Sequence, residues 1–176
     1  MSTAYLETYI RDIPDFPKPG IIFKDISPLL RDAKAFRTFL EMLQAAFQGE
    51  EIDVVVGVDA RGFIFGGALA QMLQVGFVPI RKQGKLPSDC VSKSYELEYG
   101  TATIEMHRDA LRAGERVLVV DDLLATGGTV CAAVSLCQSL GAHVAGCAFL
   151  MELGFLQGRA RLADYGDFPV FAPILV

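Results

Sequence analysis

The chain has 176 residues with a formal net charge of −5, and 52% of its residues are apolar. This length and apolar fraction predict one compact globular domain, while the acidic balance argues against nonspecific nucleic-acid binding as a main activity. No run of about eighteen apolar residues occurs, and the first residues lack a secretory-signal profile, so we expect a cytoplasmic protein without a membrane partner.

The N-terminal part predicts short elements around a proline-rich loop. Residues 3–10 are typical of an amphipathic helix, and residues 11–20 of an ordered loop that prolines keep from regular structure. Residues 21–26 predict a short extended segment. Residues 34–47 carry apolar side chains at helical spacing, which predicts a helix packed on the core.

Two apolar runs in the next part each end in charged residues. The run Asp53–Val58 predicts a buried strand, followed by the tight turn Asp59–Gly62 and the apolar helix Phe63–Leu73. A second run, at residues 77–80, ends in the basic cluster Arg81–Lys85. Strands that alternate with helices predict right-handed crossovers and a mainly parallel sheet, so these charged strand ends are expected at one edge.

Residues 84–100 show no sustained periodicity, and a connection of this length is unusual in a compact domain unless it has a function. We interpret the segment as a mobile lid. A variable surface loop or a β-hairpin is the alternative. Residues 101–106 then alternate as in a strand, and residues 112–115 predict a turn.

The stretch 117–129 carries the most chemical information. A strand at Val117–Val120 ends in Asp121 and Asp122, at the strand tip where open α/β sheets bind ligands. Residues 126–129 combine two glycines with two hydroxyls at the start of a helical pattern, so several N–H groups can face one anion. The pattern predicts a phosphate cradle. The alternative is an ordinary turn in which Thr126 caps the helix.

The remaining residues complete one domain. Gly141 ends the helix, residues 144–150 predict a strand, residues 154–162 a helix and residues 169–176 a final strand. No internal linker or repeat divides the chain. The four cysteines lack Cys-x-x-Cys spacing and receive no disulfide or metal role, and dinucleotide, Walker-type, serine-hydrolase and zinc-protease signatures are missing.

Together, the three strand ends suit a phosphorylated sugar. Backbone amides would hold a phosphate, the aspartates would accept hydrogen bonds from ribose hydroxyls, and the basic cluster would hold a second anion. A hard cation with oxygen ligands would bridge these groups. The expected ligand therefore has a phosphate at one end and a pyrophosphate at the other.

Residues 119–129 resemble the phosphoribosyl pyrophosphate signature of the type I phosphoribosyltransferase family. Ala125 stands where many members carry an acidic residue, and members that act on adenine have Ala there. Further segments resemble the same family, so the resemblance covers nearly the whole chain: Phe16–Ile26, Ala60–Gly66, Ile80–Pro87 and Tyr95–Gly100.

The resemblance implies a single α/β domain spanning residues 1–176, with a mainly parallel twisted sheet flanked by helices, a small base-binding hood at about residues 1–33 and a flexible lid at 84–100. It also implies purine salvage: transfer of 5-phosphoribosyl from phosphoribosyl pyrophosphate to adenine, giving AMP and pyrophosphate. Mg²⁺ would be bound mainly by substrate oxygens and water, and the protein would be a homodimer.

Individual roles also follow from the resemblance. Glu98 would be the general acid/base, with Glu96 as an alternative, and Lys24 stands where some members have Arg. The implied binding residues are Ala125, Thr126, Gly127, Gly128 and Thr129 for the 5′-phosphate; Asp121 and Asp122 for ribose; Asp59, Ala60, Arg61, Arg81, Lys82 and Lys85 for pyrophosphate; and Ile22, Phe23 and Lys24 for adenine.

Two other functions stay open at this point. A non-catalytic phosphoribosyl pyrophosphate sensor that binds nucleic acid would keep the cradle, although the acidic balance and the lack of an added DNA-binding segment disfavour it. The same transfer to xanthine, hypoxanthine or guanine is the second.

Overall fold

The computed structural model describes residues 3–96 and 100–176. The chain divides into two compact units, Met1–Ala45 and Ala46–Val176. In the first unit two antiparallel strands accompany three helices, the last of which ends at the boundary: β1 (Arg11–Pro14), β2 (Ile22–Asp25), α1 (Thr3–Glu7), α2 (Ser27–Arg31) and α3 (Ala33–Ala46).

The second unit contains the remaining elements. Its strands are β3 (Val54–Val58), β4 (Gly76–Lys82), β5 (Cys90–Glu96), β6 (Thr101–His107), β7 (Arg116–Val120), β8 (Leu123–Leu124), β9 (His143–Ala148), β10 (Met151–Glu152), β11 (Val170–Phe171) and β12 (Ile174–Leu175). Its helices are α4 (Arg61–Leu73), α5 (Gly128–Ser139) and α6 (Gly158–Ala163), with a 3-10 turn at Gly154–Leu156.

A seven-stranded sheet organises the second unit, in the order β11-β9-β7-β3-β4-β6-β5. The strands from β11 to β4 are parallel, and β6 and β5 are antiparallel to their neighbours. The residues of β3 are all buried, as expected for a central strand covered on both faces. The prediction of an α/β fold with a mainly parallel sheet is thus confirmed. A smaller parallel sheet joins β12, β10 and β8.

The buried core of this unit fixes the central strands, and so the positions of the residues that follow them. Val117, Val119 and Cys147 from the central strands pack in one buried cluster with Val130 and Val134 of α5. Burial of such aliphatic side chains stabilises each by roughly 1.5 to 3 kcal/mol. The strands β7, β3 and β4 are adjacent and parallel, so the residues that follow them lie along a single edge of the sheet.

Several predicted boundaries differ from the structure. Helix α3 confirms the helix predicted at 34–47. The loop prediction for 11–20 was wrong at residues 11–14, which form β1; a two-stranded ribbon with charged, exposed residues and a terminal proline leaves no apolar alternation to detect. Residues 90–96 form a strand, which is the hairpin alternative for the segment 84–100, while the mobility of that segment stays a prediction.

The C-terminal predictions need smaller corrections. The helix predicted at 154–162 is a 3-10 turn followed by α6, and the final strand is divided into β11 and β12. Among the described residues, no helix combines the length and apolar character needed to cross a bilayer.

Candidate functional site

The loop between β8 and α5 encloses a small open cavity at the edge of the sheet. The cavity measures about 60 Å³ and is lined by Asp121 and residues 123–130. This volume is far below that of a whole small-molecule site, so it suits one anionic group of a larger ligand. Helix α5 begins at Gly128, and the N–H groups of its first turn lack intrahelical partners and favour an anion there.

Two glycines give this cradle its shape. Gly127 precedes the helix with a φ of +80°, a left-handed conformation that favours glycine, and no side chain of the described residues caps the helix. A Cβ at Gly127 would lie 2.9 Å from the carbonyl oxygen of Gly158, and a Cβ at Gly158 would overlap the carbonyl oxygen of Ala125. The start of α6 therefore packs directly behind the cradle. The alternative in which Thr126 caps the helix is wrong.

The predicted ribose-binding carboxylates lie beside the cradle at the end of β7. The N–H of Asp121 donates to the carbonyl oxygen of Ala148 at 3.1 Å, and the N–H of Asp122 donates to Oδ1 of Asp121 at 2.9 Å. Asp122 is only 5% exposed, and its Oδ2 lies 3.0 Å from Nε of Arg61. The two carboxylates are thus held in one hydrogen-bonded arrangement.

Burial dominates the electrostatics of this pair. Loss of solvent raises the pKa of Asp121 well above its usual range, and repulsion from Asp122 raises it further. Burial also raises the pKa of Asp122, while the positive charge of Arg61 opposes that rise. A cation that approaches the pair is favoured because it offsets part of the free energy that desolvation costs.

The ends of β3 and β4 bring the predicted pyrophosphate residues together in part. The N–H of Asp59 donates to the carbonyl oxygen of Ile80 at 2.9 Å, and Oδ2 of Asp59 lies 3.3 Å from Nε of Arg81. Arg81 also donates from Nη1 to the carbonyl oxygen of Lys85 at 3.2 Å. Acidic and basic groups therefore alternate along the edge.

The two lysines of the basic cluster stand apart from these pairs. The Lys82 and Lys85 side chains are exposed, and within residues 3–96 and 100–176 no ion pair involves them. Both side chains are thus available to a solution anion. The pyrophosphate role of Asp59, Ala60, Arg61, Arg81, Lys82 and Lys85 stays a prediction.

Helix α4 approaches the same edge closely. A Cβ at Gly62 would lie 2.6 Å from the carbonyl oxygen of Val120 and 3.1 Å from Oδ1 of Asp121. The glycine therefore lets the helix that starts with Arg61 reach the end of β7. Sequence reasoning read Gly62 only as part of a turn, because a contact between helices and strands distant in sequence has no local signature.

The end of β5 also contacts the cradle. The Thr129 hydroxyl donates to the Tyr95 hydroxyl oxygen at 3.1 Å, and a Cβ at Gly128 would lie 3.1 Å from Cδ2 of Tyr95 and 3.3 Å from the carbonyl oxygen of Glu96. Sequence reasoning assigned Tyr95 no role. The predicted acid/base, Glu98, lies outside the described residues.

The predicted adenine-binding residues lie on β2 in the first unit, where Ile22 is 59% exposed. The rings of Phe23 and Phe16 meet edge to face, with centroids 5.2 Å apart. The Lys24 ammonium lies 2.7 Å from Oδ1 of Asp12, its partner across the strand pair. This ion pair occupies the Lys24 side chain, and the adenine-binding role of Ile22, Phe23 and Lys24 stays a prediction.

Comparisons with known proteins agree with this geometry. Residues 29–169 match the family model of the phosphoribosyl transferase domain. The chain is 60% identical over 158 residues to an adenine phosphoribosyltransferase of Paracoccus denitrificans, covering 90% of this chain and 84% of that protein. A crystal structure of adenine phosphoribosyltransferase from Thermoanaerobacter pseudethanolicus matches with a TM-score of 0.94 at 50% identity, covering 99% of this chain and 100% of that one.

A third match carries ligands. The Saccharomyces cerevisiae adenine phosphoribosyltransferase, crystallised with an imino-altritol bisphosphate and adenine, has a TM-score of 0.90 and 40% identity, with 98% of each chain covered.

Proposed function

Because this chain belongs to the adenine phosphoribosyltransferase family, we infer that it transfers the 5-phosphoribosyl group of phosphoribosyl pyrophosphate to adenine, giving AMP and pyrophosphate. This reaction recovers a free purine base as a nucleotide. The observation that carries the inference is the anion-sized cradle at residues 125–129, which lies directly beside the half-buried Asp121 and the buried Asp122.

The strand edge matches the charge changes of this reaction. As pyrophosphate leaves, positive charge develops on the ribose ring while the leaving group carries negative charge. Buried carboxylates stabilise the first, and preorganised cationic side chains stabilise the second. Asp121 and Asp122, after β7, provide the carboxylates, and Lys82 and Lys85 provide exposed ammonium groups at the end of β4, which β3 separates from β7.

The first unit supplies the proposed base recognition. Ile22, Phe23 and Lys24 would contact adenine, with the Phe23 ring stacking on the base and backbone groups reading its edge. The ion pair between Lys24 and Asp12 occupies the Lys24 side chain and so supports recognition of adenine by backbone groups. Glu98 would accept or donate the adenine proton as general acid/base.

Mg²⁺ is the proposed cofactor, and the residues at this edge of the sheet suit an ion that the substrate rather than the protein mainly holds. In the described part of the chain no group of three or more His, Cys, Asp and Glu side chains could hold a metal ion. Mg²⁺ keeps several waters and binds through few carboxylates plus substrate phosphates, so the ion would be held here mainly by substrate oxygens and water. When bound, the ion would neutralise charge on the pyrophosphate.

We also propose a cytoplasmic homodimer.

A single assay tests this function. The protein is incubated with phosphoribosyl pyrophosphate, Mg²⁺ and one base at a time, and pyrophosphate release is measured. We expect release with adenine and little with xanthine, hypoxanthine or guanine, and we expect EDTA to abolish it. Absence of release with adenine would refute the proposal, whereas release with another base alone would move the chain to that substrate.

A further inference from the structure

The end of β5 is packed on the start of α5, although β5 forms the far edge of the seven-stranded sheet. In strand order, β3, β4 and β6 separate β5 from β7, the strand that leads toward the cradle. The hairpin of β5 and β6 must therefore curve over one face of the sheet to reach α5. Val91 and Tyr95, four residues apart in sequence, pack against the core beneath.

Glycine at position 128 makes this contact close. A side chain there would meet both the Tyr95 ring and the Glu96 backbone, at 3.1 Å and 3.3 Å from its Cβ. The Tyr95 ring therefore packs closely against Gly128, the first residue of α5. The next residue, Thr129, lines the cradle and hydrogen-bonds through its hydroxyl to the phenol of Tyr95 at 3.1 Å.

We propose that Tyr95 is a positioning residue for the 5′-phosphate of the substrate, acting through the Thr129 hydroxyl; this inference rests on the proposed function. A hydroxyl has one proton to donate and two lone pairs that accept. In the structure the Thr129 hydroxyl is the donor to the Tyr95 hydroxyl oxygen. A phosphate can only accept, so when it enters the cradle the Thr129 proton turns to a phosphate oxygen.

The phenol then completes a chain of hydrogen bonds. Its own proton is donated to the Thr129 oxygen, so that Tyr95 donates to Thr129 and Thr129 donates to the phosphate. No covalent bond changes. Hydrogen bonds in such a chain polarise one another, and the bond to the anion is charge-assisted, so Tyr95 strengthens phosphate binding without touching the phosphate. The same chain ties occupancy of the cradle to the position of the hairpin end.

Isothermal titration of AMP and of pyrophosphate tests this role, since only AMP carries the 5′-phosphate. Tyr95→Phe removes the hydroxyl and keeps the ring on Gly128. We expect roughly 5- to 10-fold weaker AMP binding, the size of one hydrogen bond between neutral groups, with pyrophosphate binding within about 2-fold and a cooperative thermal transition that shows the fold is kept. Tyr165→Phe is the matched control, because Tyr165 packs half-buried on the same core and its carbonyl contacts Gln138 near the other end of α5.

A double-mutant cycle separates positioning from packing. Thr129→Val should weaken AMP binding at least as much as Tyr95→Phe, Thr129→Ser should restore it, and Tyr95→Phe should have less than about 2-fold further effect in the Thr129→Val background. Additive losses in the cycle, equal losses for AMP and pyrophosphate, or unchanged AMP binding by Tyr95→Phe would each overturn the inference. If the unaltered chain bound no AMP at all, the proposed function would fail, and the inference with it.

Discussion

The ion pair between Arg61 and Asp122 gives a prediction whose size follows from the structure. Asp122 is 5% exposed, and Arg61→Met would leave its carboxylate buried without a counterion. Two unit charges about 4 Å apart attract by about 4 kcal/mol at an effective dielectric constant of 20. The Arg61 side chain is 38% exposed, so solvent screening reduces this value, and we expect a loss of roughly 2 to 3 kcal/mol in the free energy of unfolding.

The loss of stability in Arg61→Met should depend on pH. Burial already raises the pKa of Asp122, and removal of Arg61 raises it further. A carboxyl group whose pKa is higher in the folded state favours folding when it is protonated, so stability falls as pH rises through the folded-state pKa. The deficit of Arg61→Met relative to the parent should therefore be small at acid pH and grow as the carboxylate ionises.

Urea unfolding of parent and variant at several pH values between about 5 and 8 measures this difference. Asp122→Asn in the Arg61→Met background is the control, because an amide needs no counterion and should recover most of the lost stability and remove its pH dependence. A deficit that is constant with pH, or that Asp122→Asn leaves in place, would refute the reasoning.

Three other predictions test different parts of the site. Gly158→Ala should destabilise the fold by roughly 2 kcal/mol and raise the KM for phosphoribosyl pyrophosphate, because the added methyl group overlaps the cradle backbone. Gly67→Ala is the control, since Gly67 lies in a helix and its added methyl group would meet no other atom, so this change should be neutral or slightly stabilising. Thermal unfolding and steady-state kinetics compare the two variants. Lys24→Met should change the KM for adenine by less than about 3-fold, since the ion pair already occupies that side chain; a larger change would show a direct contact. Glu98→Gln should lower turnover by roughly 10² to 10⁴ while AMP binding persists, and if Glu96→Gln has that effect instead, the acid/base role moves.

The parts of the fold that could be predicted are those with a local pattern. The helix at 34–47 and the strand at Val54–Val58 follow from the spacing of apolar residues alone. The cradle follows from two carboxylates and two glycines within nine residues of sequence, 121–129. In each case the residues that decide the structure are neighbours in the chain.

The parts that could not be predicted depend on contacts between distant segments. Gly158 shapes the cradle from α6, more than thirty residues downstream of Ala125, and Tyr95 reaches it from the far edge of the sheet. Arg61 was assigned to the pyrophosphate by resemblance, but nothing in its sequence context indicates that it pairs with Asp122. The sequence around such residues shows no distinctive pattern, and their roles depend on contacts that form only in the folded chain.

The two neighbouring aspartates therefore differ in what they can contribute. Asp122 is held by Arg61, which keeps its charge partly compensated before any ligand arrives. Burial and repulsion from Asp122 raise the pKa of Asp121, and within the described residues Asp121 forms no ion pair that would oppose this rise. A positive charge that develops on ribose during pyrophosphate departure would relieve that perturbation at the transition state more than in the bound substrate. If Asp121 binds ribose as predicted, the free energy that desolvation of its carboxylate costs in the empty site would be recovered at the transition state, which would raise kcat rather than only tighten binding.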